Sequence, residues 1–159
     1  MSQLAAQLGA ALQAHGMMLA TAESCTGGGV ASAVTDIAGS SAWFDSGVIS
    51  YSNSAKRHLL GVAADTIRAN GAVSEATVGE MASGALIHNR AGISLAVTGI
   101  AGPDGGTLEK PVGTVCFGWC RRNGTSQTTT QLFTGDRNSV RRQSVAFALE
   151  GMLRHLGLP

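Results

Sequence analysis

Three short apolar runs, Met17 to Ala22, Phe44 to Ser52 and Ile93 to Thr98, carry no helical periodicity, and each ends in a segment rich in Ser, Thr, Asn or Gly. Between them lie stretches with apolar residues at helical spacing. In the first stretch Leu4, Leu8, Ala11 and Leu12 follow the i, i+4, i+7, i+8 rule and end near Gly16, with Ser2 placed to cap. Thr26 and Gly27 to Gly29 lead into a helical stretch from Val30 to Ile37, which Gly39 ends. Asn53 is placed to cap a short segment carrying Lys56. Ser74 and Glu75 open a longer helix with Val78, Met81, Ala82 and Ala85 on one stripe, ending near Gly92. Val112 to Arg121 and Thr125 to Phe133 flank Asn123-Gly124, a type I′ hairpin signal, and Asp136 is placed to cap a last helix. Strands alternating with helices, plus one hairpin, predict an α/β fold: a three-layer α/β/α sandwich on a mostly parallel sheet with an antiparallel hairpin portion.

Composition narrows the class. Charged residues make up 13% of the 159 and apolar ones 44%, which excludes a disordered, solvating chain. A chain of this length is expected to form one domain, residues 1–159, with a core large enough to need no disulfides. Three cysteines, Cys25, Cys116 and Cys120, are an odd number that suits a reducing compartment. No Lys or Arg precedes Lys56, so a basic leader is not read, and no apolar run approaches a membrane span. The expectation is a cytoplasmic protein that uses neither membrane nor nucleic acid, since a net charge of +1 offers no polycationic surface. Charge is uneven, however. Residues 1–55 hold three acids and no Lys or Arg, whereas residues 110–159 hold seven basic groups against Asp136 and Glu150. Such asymmetry suits a small anionic ligand.

In open α/β sheets ligands sit outside the carboxyl ends of the strands. Three segments are expected to converge there: Glu23 to Gly28, Tyr51 to Lys56, and Thr98 to Gly106. The first, Glu23-Ser24-Cys25-Thr26-Gly27-Gly28-Gly29, sets two nucleophile types before a helix N-terminus, where free N–H groups favour an anion or a developing oxyanion. Neither phosphate-loop pattern fits it, and both glycines of a G-x-S-x-G elbow are missing. The four histidines lie in or beside helical segments, so a Ser-His-Asp triad is not favoured. Lys56 is the better base, because a desolvated lysine can take a hydroxyl proton as a neutral amine. Tyr51 can relay that proton or orient the amine, and Asn53 can supply a hydrogen bond. Asn at position 53 also rules out the S-x-x-K pattern. Cys25 stands as a competing nucleophile. Cys116 and Cys120 lack a second ligand pair, and no metal site is read. The loop after Thr98, with Gly99, Ala101 and Gly102, can wrap a phosphate or a ring with backbone N–H groups. Arg137 and Arg141, one helical turn apart, can clamp a phosphate.

Together these segments resemble the C-terminal domain family of the competence/damage-inducible protein CinA. The matching motifs are Ala22-Glu23-Ser24-Cys25-Thr26-Gly27-Gly28, Gly47 with Tyr51-Ser52-Asn53 and Lys56, Thr98-Gly99-Ile100-Ala101-Gly102-Pro103, Lys110-Pro111-Val112-Gly113-Thr114-Val115, and Gly135-Asp136-Arg137 with Arg141. The resemblance implies hydrolysis of nicotinamide mononucleotide to nicotinic acid mononucleotide and ammonia, with no metal or other cofactor. It implies Ser24 as nucleophile, Lys56 as general base and Tyr51 as the accompanying hydroxyl. Glu23, Thr26, Gly27, Gly28, Asn53, Thr98, Gly99, Ala101, Gly102, Arg137 and Arg141 are then the expected substrate-binding positions. Many members carry an additional N-terminal domain, for which this chain has no room. Gly29 departs from the larger apolar residue expected there, which bears on packing. Two other readings stay open: a non-catalytic nucleotide-binding module, and the same amidase run by Cys25. A homo-oligomer is expected.

Overall fold

The computed structural model describes residues 1–122 and 124–157. The strands are β1 (Leu19–Glu23), β2 (Phe44–Ile49), β3 (Ile93–Gly99), β4 (Thr114–Arg121) and β5 (Ser126–Leu132). The α-helices are α1 (Ser2–Ala14), α2 (Gly29–Thr35), α3 (Asn53–Leu60), α4 (Ala64–Asn70), α5 (Glu75–Gly84) and α6 (Arg137–His155), and a short 3-10 turn spans Ser40–Ala42. One sheet carries the strands in the order β2-β1-β3-β4-β5. β1 pairs in parallel with β2 and β3, while β4 runs antiparallel to both β3 and β5. Four of the five strands therefore point the same way and β4 alone is reversed, which is the mixed α/β sheet expected.

Alternation along the strands builds two unlike faces. Leu19, Ile93, Leu95, Val97, Val115, Phe117 and Trp119 face α1, α2 and α6 in one core. The residues between them are small: Ala20, Ala22, Ala96, Cys116 and Cys120 face Leu60, Val78, Met81 and Ala82 in the other. Bulky side chains hold the first helical layer off the sheet, and small ones let α5 settle close. Ser94 Oγ donates to the Ala82 carbonyl at 2.6 Å, and a Cβ on Gly118 would stand 2.9 Å from the Val78 carbonyl oxygen. On the bulky side Phe117 and Phe147 meet with ring centroids 4.7 Å apart, and Trp119 Nε1 donates to the Ala148 carbonyl. Gly29 is explained here too, since Val145 Cγ2 lies 3.1 Å from where its Cβ would be.

Several boundaries differ from expectation. Met1, not Ser2, occupies the N-cap position of α1, and no side chain caps it. Ser52 rather than Asn53 caps α3, its Oγ accepting from the Ala55 N–H at 3.0 Å, and Asn53 is the first helical residue. Ser74 and Asp136 cap α5 and α6 as read. β2 stops at Ile49, so Tyr51 and Ser52 belong to the loop. α5 ends at Gly84 rather than near Gly92, and α4 was not anticipated. The Asn123-Gly124 turn lies partly outside the described residues, and β4 and β5 pair on either side of it from Cys120 opposite Ser126. No helix among the described residues is long and apolar enough to cross a membrane.

Candidate active site

The alternation of β1 decides what its C-terminal end presents. Glu23 follows Leu19 and Thr21 toward the α2 side, so the next residue, Ser24, turns toward the α3 side. The Ser24 N–H continues the ladder, donating to the Val97 carbonyl of β3 at 2.9 Å. α3, capped by Ser52, directs Lys56 and Leu60 inward. Lys56 Nζ thereby lies 3.0 Å from Ser24 Oγ and donates to the Ser50 carbonyl at 2.9 Å. Ser24 is 7% exposed and Lys56 1%. Burial pulls the Lys56 pKa below its ordinary value of 10.5, the neighbouring Cys25 acting the other way, and no salt bridge among the described residues holds the ammonium. Loss of the charge relieves the desolvation penalty, and a neutral amine at this position has a lone pair able to accept a hydroxyl proton.

A cavity of about 200 Å³ opens over this pair, with Tyr51, Asn53, Thr98 and Arg137 on its wall. The Arg137 guanidinium closes one side, donating from Nη2 to Tyr51 Oη at 2.9 Å and from Nη1 to the Gly102 carbonyl at 2.8 Å. Thr98 Oγ donates to the Ala72 carbonyl at 2.9 Å, tying the end of β3 to the turn between α4 and α5. Gly99 and Ala101 also reach the wall. The three loops expected at the strand ends do converge, joined by the N-terminus of α6.

Six expected substrate-binding residues are placed otherwise, four of them around the start of α2. Glu23 is 1% exposed, and its carboxylate is wholly engaged by the start of α2. It accepts from Thr26 Oγ1 at 2.6 Å, from the Gly28 and Val30 N–H groups at 3.1 and 3.0 Å, and from the Ala31 N–H at 2.8 Å. A fixed anion thus occupies the donors that a substrate phosphate would have used. Thr26 is buried beneath this network. Gly27 and Gly28 form the turn itself, at φ of 59° and 93°, where glycine is favoured. None of the four lines the Ser24 cavity, and neither does Gly102, whose carbonyl serves Arg137. Arg141 is also elsewhere, its Nη2 donating to the Thr26 carbonyl at 3.0 Å on the α2 side. Cys25 does reach the cavity wall, but burial pushes its thiol up to about 12, so the thiolate needed for attack is suppressed.

The sequence reading missed Ala72, Val73 and the Ser50 carbonyl. Ala72 and Val73 line the cavity from a turn between two helices, one of which was not anticipated. Backbone carbonyls leave no side-chain signal. Only the short spacing between Ser50 and Lys56 hinted that the lysine could fold back onto its own loop.

Comparison with known proteins identifies the family. The family described as the CinA C-terminal domain matches residues 1–156. The nicotinamide-nucleotide amidohydrolase PncC of Enterobacter agglomerans is 54% identical over 152 residues, covering 96% of this chain and 93% of the relative. Its counterpart in Escherichia coli K12 is 54% identical over 148 residues, covering 93% and 90%. The crystal structure of the competence/damage inducible protein CihA of Agrobacterium tumefaciens superposes with a TM-score of 0.94 at 46% identity, over 98% of this chain and 94% of that one. A family model matched over residues 1–156, with relatives matched nearly from end to end in sequence and in backbone, places the chain in the CinA C-terminal domain family.

Proposed function

We propose that the protein is an amidohydrolase of nicotinamide nucleotides, converting nicotinamide mononucleotide and water to nicotinic acid mononucleotide and ammonia. The observation that carries this reading is the buried contact of 3.0 Å between Lys56 Nζ and Ser24 Oγ at the floor of the cavity. The relatives named as amidohydrolases of this substrate class support it. Neutral Lys56 takes the Ser24 proton as Oγ attacks the carboxamide carbon, and the carbonyl becomes a tetrahedral oxyanion. Within residues 24–31 the Cys25 and Thr26 N–H groups are the ones that no carbonyl or carboxylate takes, and of these two residues only Cys25 lines the cavity, so its N–H is the donor suited to that oxyanion. Lys56 returns the proton to the nitrogen, the C–N bond breaks and ammonia leaves. Water then attacks the acyl ester with Lys56 again as base, which releases the carboxylate product and restores Ser24.

Glu23 closes the α2 end to a phosphate, so the nucleotide runs the other way. Its ring amide reaches Ser24 and its phosphate meets Arg137 at the cavity mouth. The cavity is smaller than the ~300–1,000 Å³ usual for whole ligands, which fits a pocket that takes the ring and leaves the ribose phosphate at the rim.

An ammonia-release assay on purified variants tests this reading. Ser24→Ala and Lys56→Met should each lose about 10²–10⁴-fold in kcat. Cys25→Ala should retain most activity. Full loss in Cys25→Ala with activity kept in Ser24→Ala would move the nucleophile to the thiol. Binding of the nucleotide by wild type without any ammonia release would make the domain a binding module.

A further inference from the structure

A second cavity, of about 300 Å³, lies between α2 and α6 and shares no lining residue with the first. Its cationic side chains are Arg141 and Arg142, and its acidic one is Asp36. Ion pairing among the described residues is confined to Arg68 and Asp65, so neither arginine has a carboxylate partner. Arg141 donates from Nη2 to the Thr26 carbonyl, while its Nε is cut off from solvent and has no acceptor. A buried donor left unmet is uncommon, because it has been stripped of water without a replacement. Ser32 and Asn138 add a hydroxyl and an amide to the same wall.

We propose that this cavity is a second binding site, for a small phosphate monoester that carries hydroxyl groups. The phosphate sits on Arg141 and Arg142, and the Arg141 guanidinium turns toward it, which gives the now buried Nε an acceptor. The Asp36 carboxylate, unpaired on the opposite wall, accepts from a hydroxyl of the same molecule. Two arginines against one aspartate leave the cavity net positive, which selects the anion. The site also reaches the chemistry. Arg141 holds the carbonyl of Thr26, two residues beyond Ser24, so an anion that redirects its guanidinium alters the turn bearing the nucleophile. This regulatory consequence rests on the amidase reading, whereas binding itself does not.

Isothermal titration with ribose 5-phosphate and with inorganic phosphate tests the site. Ribose 5-phosphate should bind wild type and Arg137→Ala alike, and Arg142→Glu should bind it at least about tenfold more weakly. Arg142 is exposed on α6, so the variant is expected to fold, and its unliganded ammonia release should match wild type. Asp36→Asn should weaken ribose 5-phosphate but leave inorganic phosphate unchanged. Loss of binding in Arg137→Ala with binding kept in Arg142→Glu would place the anion in the Ser24 cavity and overturn the proposal. Absence of binding to wild type would also overturn it. Neither result bears on ammonia release, so this proposal and the amidase reading fail separately.

Discussion

Lys56 sets two requirements against each other. Its amine is buried with the Ser24 hydroxyl and the Ser50 carbonyl as its hydrogen-bond partners, so the folded protein disfavours the charged form. In the unfolded chain the same group stays protonated up to about its ordinary pKa. Between the lowered folded value and the unfolded value, the unfolded state binds more protons. Stability therefore rises with pH through that window, and falls as pH drops through the folded pKa. Lys56→Met removes the penalty, so at neutral pH it should melt higher than wild type, by about 2–4 °C for each kcal/mol relieved. Calorimetry checks this, and the gain should shrink as pH is raised. Activity should run with the neutral amine: kcat of wild type climbs with pH until Lys56 is fully deprotonated, at an inflection below 10.5. A pH–rate profile with no such limb would remove Lys56 from the base role.

At the scale of elements, small residues set the distances that bring Lys56 to Ser24. α3 and α5 touch at Gly84, where an added Cβ would lie 1.8 Å from the Leu60 carbonyl oxygen. Gly84→Ala should push α3 outward, costing about 1–3 kcal/mol by urea denaturation and lowering kcat together with stability. On the other face Glu23 fastens the start of α2. Glu23→Gln replaces an acceptor-only group with an amide whose NH₂ faces backbone donors, and should cost about 1–3 kcal/mol while leaving KM nearly unchanged. A large rise in KM instead would return Glu23 to the substrate.

The legibility of these elements follows the same physics. β1, β3 and the caps at Ser74 and Asp136 were readable because burial on both faces and a capping oxygen leave local patterns. α4 buries none of its residues, so no apolar stripe announced it. The α3 cap reads one residue late in the sequence because Ser52 and Asn53 are both good capping residues, and only the Ser52 geometry separates them. The glycine run after Ser24 reads as an anion site until Glu23 is seen to fold forward and occupy it. Nothing local tells that a strand residue supplies the anion for the next helix.

For the whole molecule, the decisive feature is that the Ser24 cavity belongs to no single element. Ser24 follows β1, Lys56 lies on α3, Ala72 precedes α5, Thr98 is next to last in β3 and Arg137 begins α6. β1 and β3 are hydrogen-bonded neighbours, yet the chain leaves β1 for β2 on one side and leaves β3 for β4 on the other. The crevice between their ends is the position that doubly wound sheets offer to ligands. A ligand there contacts residues that are together only in the native fold, so it binds the folded state and not the unfolded one. Substrate at about 100 times Kd should therefore add about 2.7 kcal/mol to Ser24→Ala, which binds without turning over. For a chain of this size that is a rise in Tm of roughly 5–10 °C. Hydrogen exchange should slow together at 24–26, 50–56, 71–73 and 98–102, and stay unchanged in α1 and β5. Slowing confined to α2 and residues 138–145 of α6 would mean that the nucleotide occupies the arginine-lined cavity, and the amide chemistry would have to be sought away from Ser24.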